Sequence, residues 1–272
     1  MKKFSKVFNV KTPIIGMIHV DALPGTPKYK GNINKLIAKA IEEAKIYTDA
    51  GIDSIAIENM HDVPYLNRNA GPEVTSLMSI IGYEIKNTTK LRVGIQILAG
   101  ANKQALAAAN SAGLDFIRAE GFVYSHIADE GIIDSDAGVL LRYRKSIDAE
   151  NILVFTDIKK KHSSHSITSD VSIEETAHAA EFFLSDGLIV TGVATGKEAN
   201  VDEIKVVKKM TKLPVIIGSG VNINNLENYF PICDAMIIGS YFKKNGNWKN
   251  TIDVSRVKTF MKKITDLREN IN

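Results

Sequence analysis

Residues 214–243 read PVIIGSGVNINNLENYFPICDAMIIGSYFK, and this stretch decides the fold. Two short runs rich in Ile and Val, Pro214–Gly218 and Ala235–Gly239, each end in a Gly-Ser pair. Between them Asn224–Phe230 has helical spacing. Short continuous apolar runs of this kind are strands covered on both faces. The same unit recurs towards the N-terminus. The further strands are Ile14–Val20, Ser54–Glu58, Arg92–Leu98, Phe116–Glu120, Ile152–Asp157 and Gly187–Thr191. Helical segments follow them: Leu36–Ala50, Pro72–Lys86, Lys103–Ala112, Asp136–Ile147, Ser172–Phe183, Val201–Met210 and, after the last strand, Val254–Leu267. Ser172 with Glu175 forms a capping box, and Gly51 and Gly113 stop their helices as cap glycines do.

Strands alternating with helices imply a parallel sheet with right-handed crossovers. An open doubly wound sheet is one solution. Eight units in about 250 residues fit a closed (β/α)8 TIM barrel of the ribulose-phosphate-binding kind. No linker or charge block divides the chain, so residues 1–272 are read as one domain, with 1–12 and 268–272 peripheral. Hydrophobic residues make up 44% and charged residues 24% of the chain, ordinary for a globular protein and wrong for a disordered one. Lys and Arg total 34 against 31 acidic residues, a balance of +3 that argues against a nucleic-acid binder. Cys233 is the only cysteine, so no internal disulfide forms and a cytoplasmic setting is expected. No signal-peptide pattern precedes Pro13, and no apolar run approaches the ~18 residues of a membrane span.

In such a barrel the chemistry sits at the carboxyl ends of the strands. Five of the six histidines, His19, His61, His126, His162 and His165, fall in the segments that follow strands. Side chains alternate in and out along a strand. Parity therefore aims Glu58, Arg118, Glu120, Asp157, Lys159 and Lys161 inward at the mouth. These groups could form a structural ion-pair network or an acid/base site, with Lys159 a general acid, base or electrophile kept charged by Asp157. A divalent metal on His19, His61, His162 or His165 with Glu58 or Asp157 is a variant, although no HxH or HExxH spacing occurs. The Gly-Ser-Gly of Gly218–Gly220, the Gly239–Ser240 pair with Lys243, and Thr191, Gly192 and Gly196 within TGVATG form an expected phosphate site. Loops after the seventh and eighth strands are its usual place. Cys233 reads as core, and Trp248 as a cover for the barrel floor or an interface.

The stretches GMIHVDALPG, FIRAEGFVYSHIADEGIID, VFTDIKKKHSSH, LIVTGVATG, PVIIGSGV and IIGSYFK together resemble the BtpA/SgcQ family, over roughly residues 13–261. The resemblance implies a phosphate-binding TIM barrel. It marks His19, Glu58, Asn59, Asp62, Arg118, Asp129, Gly131, Ile132, Asp157, Lys161, His162, Thr191, Gly192, Thr195, Gly196, Gly218, Ser219, Gly220, Gly239 and Lys243. This chain departs from the family pattern after the third strand, where it has QILAGA, and at Glu120, where members often carry Asn. One member of that family is linked to photosystem I accumulation, and another sits in a sugar-phosphate gene cluster as a nucleosidase-like protein. Two function classes follow. One is an enzyme acting by acid/base chemistry on a sugar phosphate or nucleotide-like compound, as an isomerase, lyase or nucleosidase-type hydrolase. The other is a non-catalytic assembly or stability factor using the barrel as a platform. A homo-oligomer is expected from the frequency of such assemblies among barrels.

Overall fold

Each apolar run becomes one stave of a barrel because both its faces find cover. In the computed structural model, which describes residues 1–192 and 194–270, the strands are β1 (Ile14–His19), β2 (Ser54–Glu58), β3 (Arg92–Gln96), β4 (Phe116–Ala119), β5 (Leu153–Ile158), β6 (Gly187–Val190), β7 (Val215–Ile217) and β8 (Ala235–Ile238). All pair in parallel, each with its sequence neighbour, and β8 closes on β1. The chain is thus a closed eight-stranded parallel barrel. The helices are α1 (Lys2–Val7), α2 (Ile33–Asp49), α3 (Pro72–Thr89), α4 (Asn102–Ala112), α5 (Ala137–Ser146), α6 (Ile173–Phe182), α7 (Val201–Met210), α8 (Leu226–Tyr229) and α9 (Val254–Glu269). Val193, inside the TGVATG stretch, and Ile271 and Asn272 of the tail lie outside the described residues.

Two cores result from the alternation. Outward residues such as Ile18, Ile55, Ile95 and Val154 pack under the helices. Inward residues such as Met17, Ala56, Phe116, Phe155, Ile189 and Ile237 fill the barrel. Gly94 makes room for a ring: a Cβ there would lie 2.0 Å from Phe116. Among the described residues no helix is long and apolar enough to cross a membrane.

Three features depart from the reading of the sequence. Particular residues near both ends make contacts that the sequence did not announce. Phe4 and Phe8, on and after α1, are buried, and their rings lie 6.0 and 5.8 Å from Phe155 and Phe116, so α1 plugs the barrel floor. Arg268 on α9 grips Asp53 and the carbonyls of Lys11 and Thr12. Six residues, three of them lysines, carry too little pattern to announce such a plug. The second departure is a three-stranded antiparallel sheet, His126–Ala128 with Gly131–Ile133 and Ser163–Ser164, built from the loops after β4 and β5. The third is Trp248, which stands at the mouth and not at the floor, as the site geometry makes plain.

Candidate active site

Strand parity places Arg118 and Asp157 one step above the Phe116 and Phe155 layer, facing inward. Arg118 Nε and Nη2 donate to Asp157 Oδ2 and Oδ1 at 2.8 and 2.7 Å. Both residues are buried, so this bidentate pair forms the floor of the site. His19 and Glu58, the last residues of β1 and β2, stand beside it. His19 Nδ1 lies 3.0 Å from the carbonyl of Trp248. A carbonyl only accepts, so Nδ1 carries the proton. The neutral ring then offers the lone pair of Nε2, 3.8 Å from Glu58 Oε2. Burial, followed by the charge of Lys243, holds His19 well below the ordinary histidine range. Burial pushes the Glu58 carboxyl up, against Arg118 and Lys161. A base without its proton therefore faces an acid inclined to keep one.

This arrangement has a consequence for pH dependence. The folded pKa of His19 lies below its unfolded value near 6.5, so its contribution to stability is present above that pH and lost as pH falls through it. Between pH 7 and 5 the wild type is expected to destabilise more steeply than His19→Gln, by up to about 1.4 kcal/mol per pH unit. Urea unfolding across that range checks it; parallel slopes for the two proteins would remove the inference.

A pocket of about 170 Å³ opens beside these groups, lined on one side by His19, Glu58, Arg118 and Lys161. The other side is Thr195–Gly196, Gly218–Asn222 and Gly239–Tyr241. Among the described residues, the N–H groups of Ser219, Gly220 and Ser240 have no intramolecular acceptor. Others are already used. Gly218 N–H donates to Val190, Gly192 N–H to the Ser219 hydroxyl, and that hydroxyl to the Lys197 carbonyl. The glycines answer mainly to the chain itself: a Cβ on Gly192 or Gly220 would meet the Lys197 carbonyl oxygen at 2.4 or 2.1 Å. His162 is exposed and sits outside the pocket. Its Nε2 accepts from the Thr195 N–H at 2.9 Å, fastening the loop after β6 to the loop after β5.

A profile of the BtpA family matches residues 10–266. This chain belongs to the BtpA family. A mitochondrial protein of Caenorhabditis elegans, itself called uncharacterized, is 50% identical, covering 97% of both chains. An Archaeoglobus fulgidus protein is 34% identical over 92% of this chain and 97% of its own. The photosystem I biogenesis protein BtpA of Synechocystis is 30% identical over 96% of this chain and 91% of its own. Among solved structures, (S)-3-O-geranylgeranylglyceryl phosphate synthase from Thermoplasma acidophilum aligns with a TM-score of 0.60 at 15% identity, covering 97% of each chain. Orotidine 5'-monophosphate decarboxylase from Methanocaldococcus jannaschii aligns with a TM-score of 0.59 at 14% identity, over 93% of this chain and 98% of its own. At these identities the likeness is one of fold.

In this BtpA-family chain some expected site residues lie elsewhere. Lys159 has a φ of 49°, which ends the alternation of β5. Its ammonium turns away and donates to the carbonyls of Thr168 and Val171 at 3.2 and 2.6 Å. Lys160 takes the inward place instead, 3.5 Å from Glu120 Oε2. Glu120 also accepts from Gln96 and from the Gly100 N–H, so it braces the loop after β3 and does not line the pocket. Lys243 is buried against Glu43 of α2 at 2.7 Å and does not line the pocket with the glycine-rich loops. Thr191 is buried, its hydroxyl has no partner among the described residues, and it lies off the pocket wall. The histidines also disperse. His61 packs on Trp248 at 5.0 Å, His126 on His165 at 5.6 Å, and His165 bonds the Lys160 carbonyl. Among the described residues no three His, Cys, Asp or Glu side chains gather as a metal site, so the mixed histidine–carboxylate ligand set is not assembled. Met17, Met60, Asn222, Tyr241 and Gly246 line the pocket without having been singled out. Met17 shares the inward parity of β1, which could have found it; Gly246 belongs to an irregular loop with no such signal.

Proposed function

We propose that this protein is an enzyme acting by acid/base chemistry on a phosphorylated small molecule. One observation carries the reading: a single pocket joins a wall of unpaired backbone N–H groups to a wall bearing His19, Glu58, Arg118 and Lys161. Unpaired N–H groups at the ends of β7 and β8 suit a phosphate. From there a short carbon chain reaches His19 Nε2, which can take a proton, and Glu58, which can give one. The fold neighbours named for phosphorylated compounds, orotidine 5'-monophosphate and sn-glycerol-1-phosphate among them, support the same ligand class. The single buried thiol of Cys233 suits a reducing compartment, and the cytoplasm is the proposed setting.

The test is thermal. Inorganic phosphate and a panel of sugar phosphates should raise the melting temperature, by an amount that grows with the logarithm of ligand concentration above Kd. If phosphate and the whole panel leave it unmoved, the reading fails. A second reading, a non-catalytic assembly factor, is favoured by the name of the Synechocystis relative and by the exposed Phe182, Phe183 and Leu184 at the end of α6. It expects Glu58→Gln and His19→Gln to leave the cellular phenotype unchanged, whereas the enzyme reading expects both to abolish it.

A further inference from the structure

Three lysines near the mouth have fixed partners: Lys159 on backbone carbonyls, Lys160 with Glu120, and Lys243 with Glu43. Lys161 differs. It lines the pocket, and among the described residues its ammonium has no hydrogen-bond or ion-pair partner. Asp157, the acid closest in sequence, gives both oxygens to Arg118, and among the described residues it makes no direct pair with Lys161. Arg118 is itself in the pocket wall, so a fixed positive charge stands beside the amine. Burial first, then Arg118, holds the Lys161 amine below the ordinary lysine value, against Glu58. Partial burial beside another cation favours the neutral, nucleophilic form of a lysine amine.

The neighbouring groups match what such a nucleophile needs. Adding an amine to a carbonyl makes an alkoxide that must be protonated, and losing water from the adduct needs an acid. Glu58, in the same wall, has its carboxyl pushed up by burial. His19 offers an unprotonated Nε2. Across the pocket lies the wall of N–H groups proposed for phosphate.

We propose that Lys161 forms an imine with a phosphorylated aldehyde or ketone, an inference that rests on the phosphate-binding reading above. The Nζ lone pair bonds to the carbonyl carbon as the C=O π pair moves to oxygen. That oxygen takes a proton from Glu58, and nitrogen loses one to His19. The hydroxyl then leaves as water with a second proton, relayed from His19 through Glu58, as the nitrogen pair closes the C=N bond. The sum is R₂C=O + H₂N–Lys + Glu–CO₂H → R₂C=NH⁺–Lys + Glu–CO₂⁻ + H₂O. A protonated imine withdraws electrons from the adjacent carbon, which favours isomerase or carbon–carbon lyase chemistry over hydrolysis of an N-glycosidic bond.

The experiment has two arms on the full chain. In the first, dihydroxyacetone phosphate or ribose 5-phosphate is incubated with cyanoborohydride, and the adduct is located by peptide mass mapping. A reduced adduct on Lys161, suppressed by excess inorganic phosphate and absent from Lys161→Arg, is the expected result. Adduct spread evenly over surface lysines overturns the proposal. The second arm needs no substrate: acetic anhydride labelling at pH 8 should modify Lys161 about tenfold faster than the average surface lysine, per pKa unit of depression. Equal or slower labelling overturns the proposal whatever the first arm gives. If phosphate raises the melting temperature but neither arm singles out Lys161, the imine fails and the phosphate-binding reading stands. If phosphate also leaves the melting temperature unmoved, both fail.

Discussion

Asp157→Ala is expected to lower the unfolding free energy by about 3–5 kcal/mol, because it strips a buried guanidinium of its bidentate partner. Arg118 and Asp157 are each 5% exposed, and among the described residues no other carboxylate bonds Arg118. Without Asp157 the charge of Arg118 remains in the barrel beside Lys161, with burial opposing it and nothing bidentate to satisfy its donors. For a chain of this size the loss corresponds to a fall of about 10 °C in melting temperature. A double substitution, Arg118→Met with Asp157→Leu, removes both charges and should recover most of the stability, although it removes the floor of the site. Urea unfolding of the two variants separates the cases. A single variant within about 1 kcal/mol of wild type would mean that the pair is not desolvated as described.

Gly220→Ala is expected to cost about 2–5 kcal/mol and to abolish any stabilisation by phosphate. Its φ of 76° lies in the left-handed region, where a Cβ alone costs about 1–2 kcal/mol. The added atom would also lie 2.1 Å from the Lys197 carbonyl oxygen and 2.4 Å from Glu198 Cα. Both are backbone, so the loop after β6 or the loop after β7 must move, at a cost of about 1–3 kcal/mol. Either movement displaces the N–H groups of Ser219 and Gly220. Gly51→Ala is the control: φ is 77° there, but nothing lies within 4 Å, so it reports backbone strain alone. Thermal melts of both variants with and without phosphate give the comparison. A Gly220→Ala protein that keeps the phosphate response of the wild type would move the anion site elsewhere.

The barrel was legible because each apolar run is short, β-branched and followed by helical spacing, a pattern that needs no tertiary knowledge. Parity then found Arg118 and Asp157, since β4 and β5 are regular through both residues. It failed at Lys159 for a local reason: one left-handed residue resets the alternation, and no glycine marks the place. Lys243 failed for a distant reason. Its partner, Glu43, lies on α2, and a salt bridge between the ends of a chain leaves no trace in either neighbourhood. The glycine-rich loops line the pocket, but part of their glycine content answers to backbone crossing backbone, a cause that spacing cannot separate from ligand binding. His162 shows the same ambiguity, since a histidine beside a mouth can serve as a fastener.

The grip of Arg268 on Asp53, Lys11 and Thr12 couples the last helix to the first strand at the floor that Phe4 and Phe8 plug. The plug precedes in sequence the strands that bury it, and the clasp follows them. The Phe4 and Phe8 rings therefore wait for β5 and β4 to cover them, and the seam beside β1 waits for β8. A chain cut short before β8 leaves one edge of β1 unpaired, and such an edge is a template for pairing with another chain.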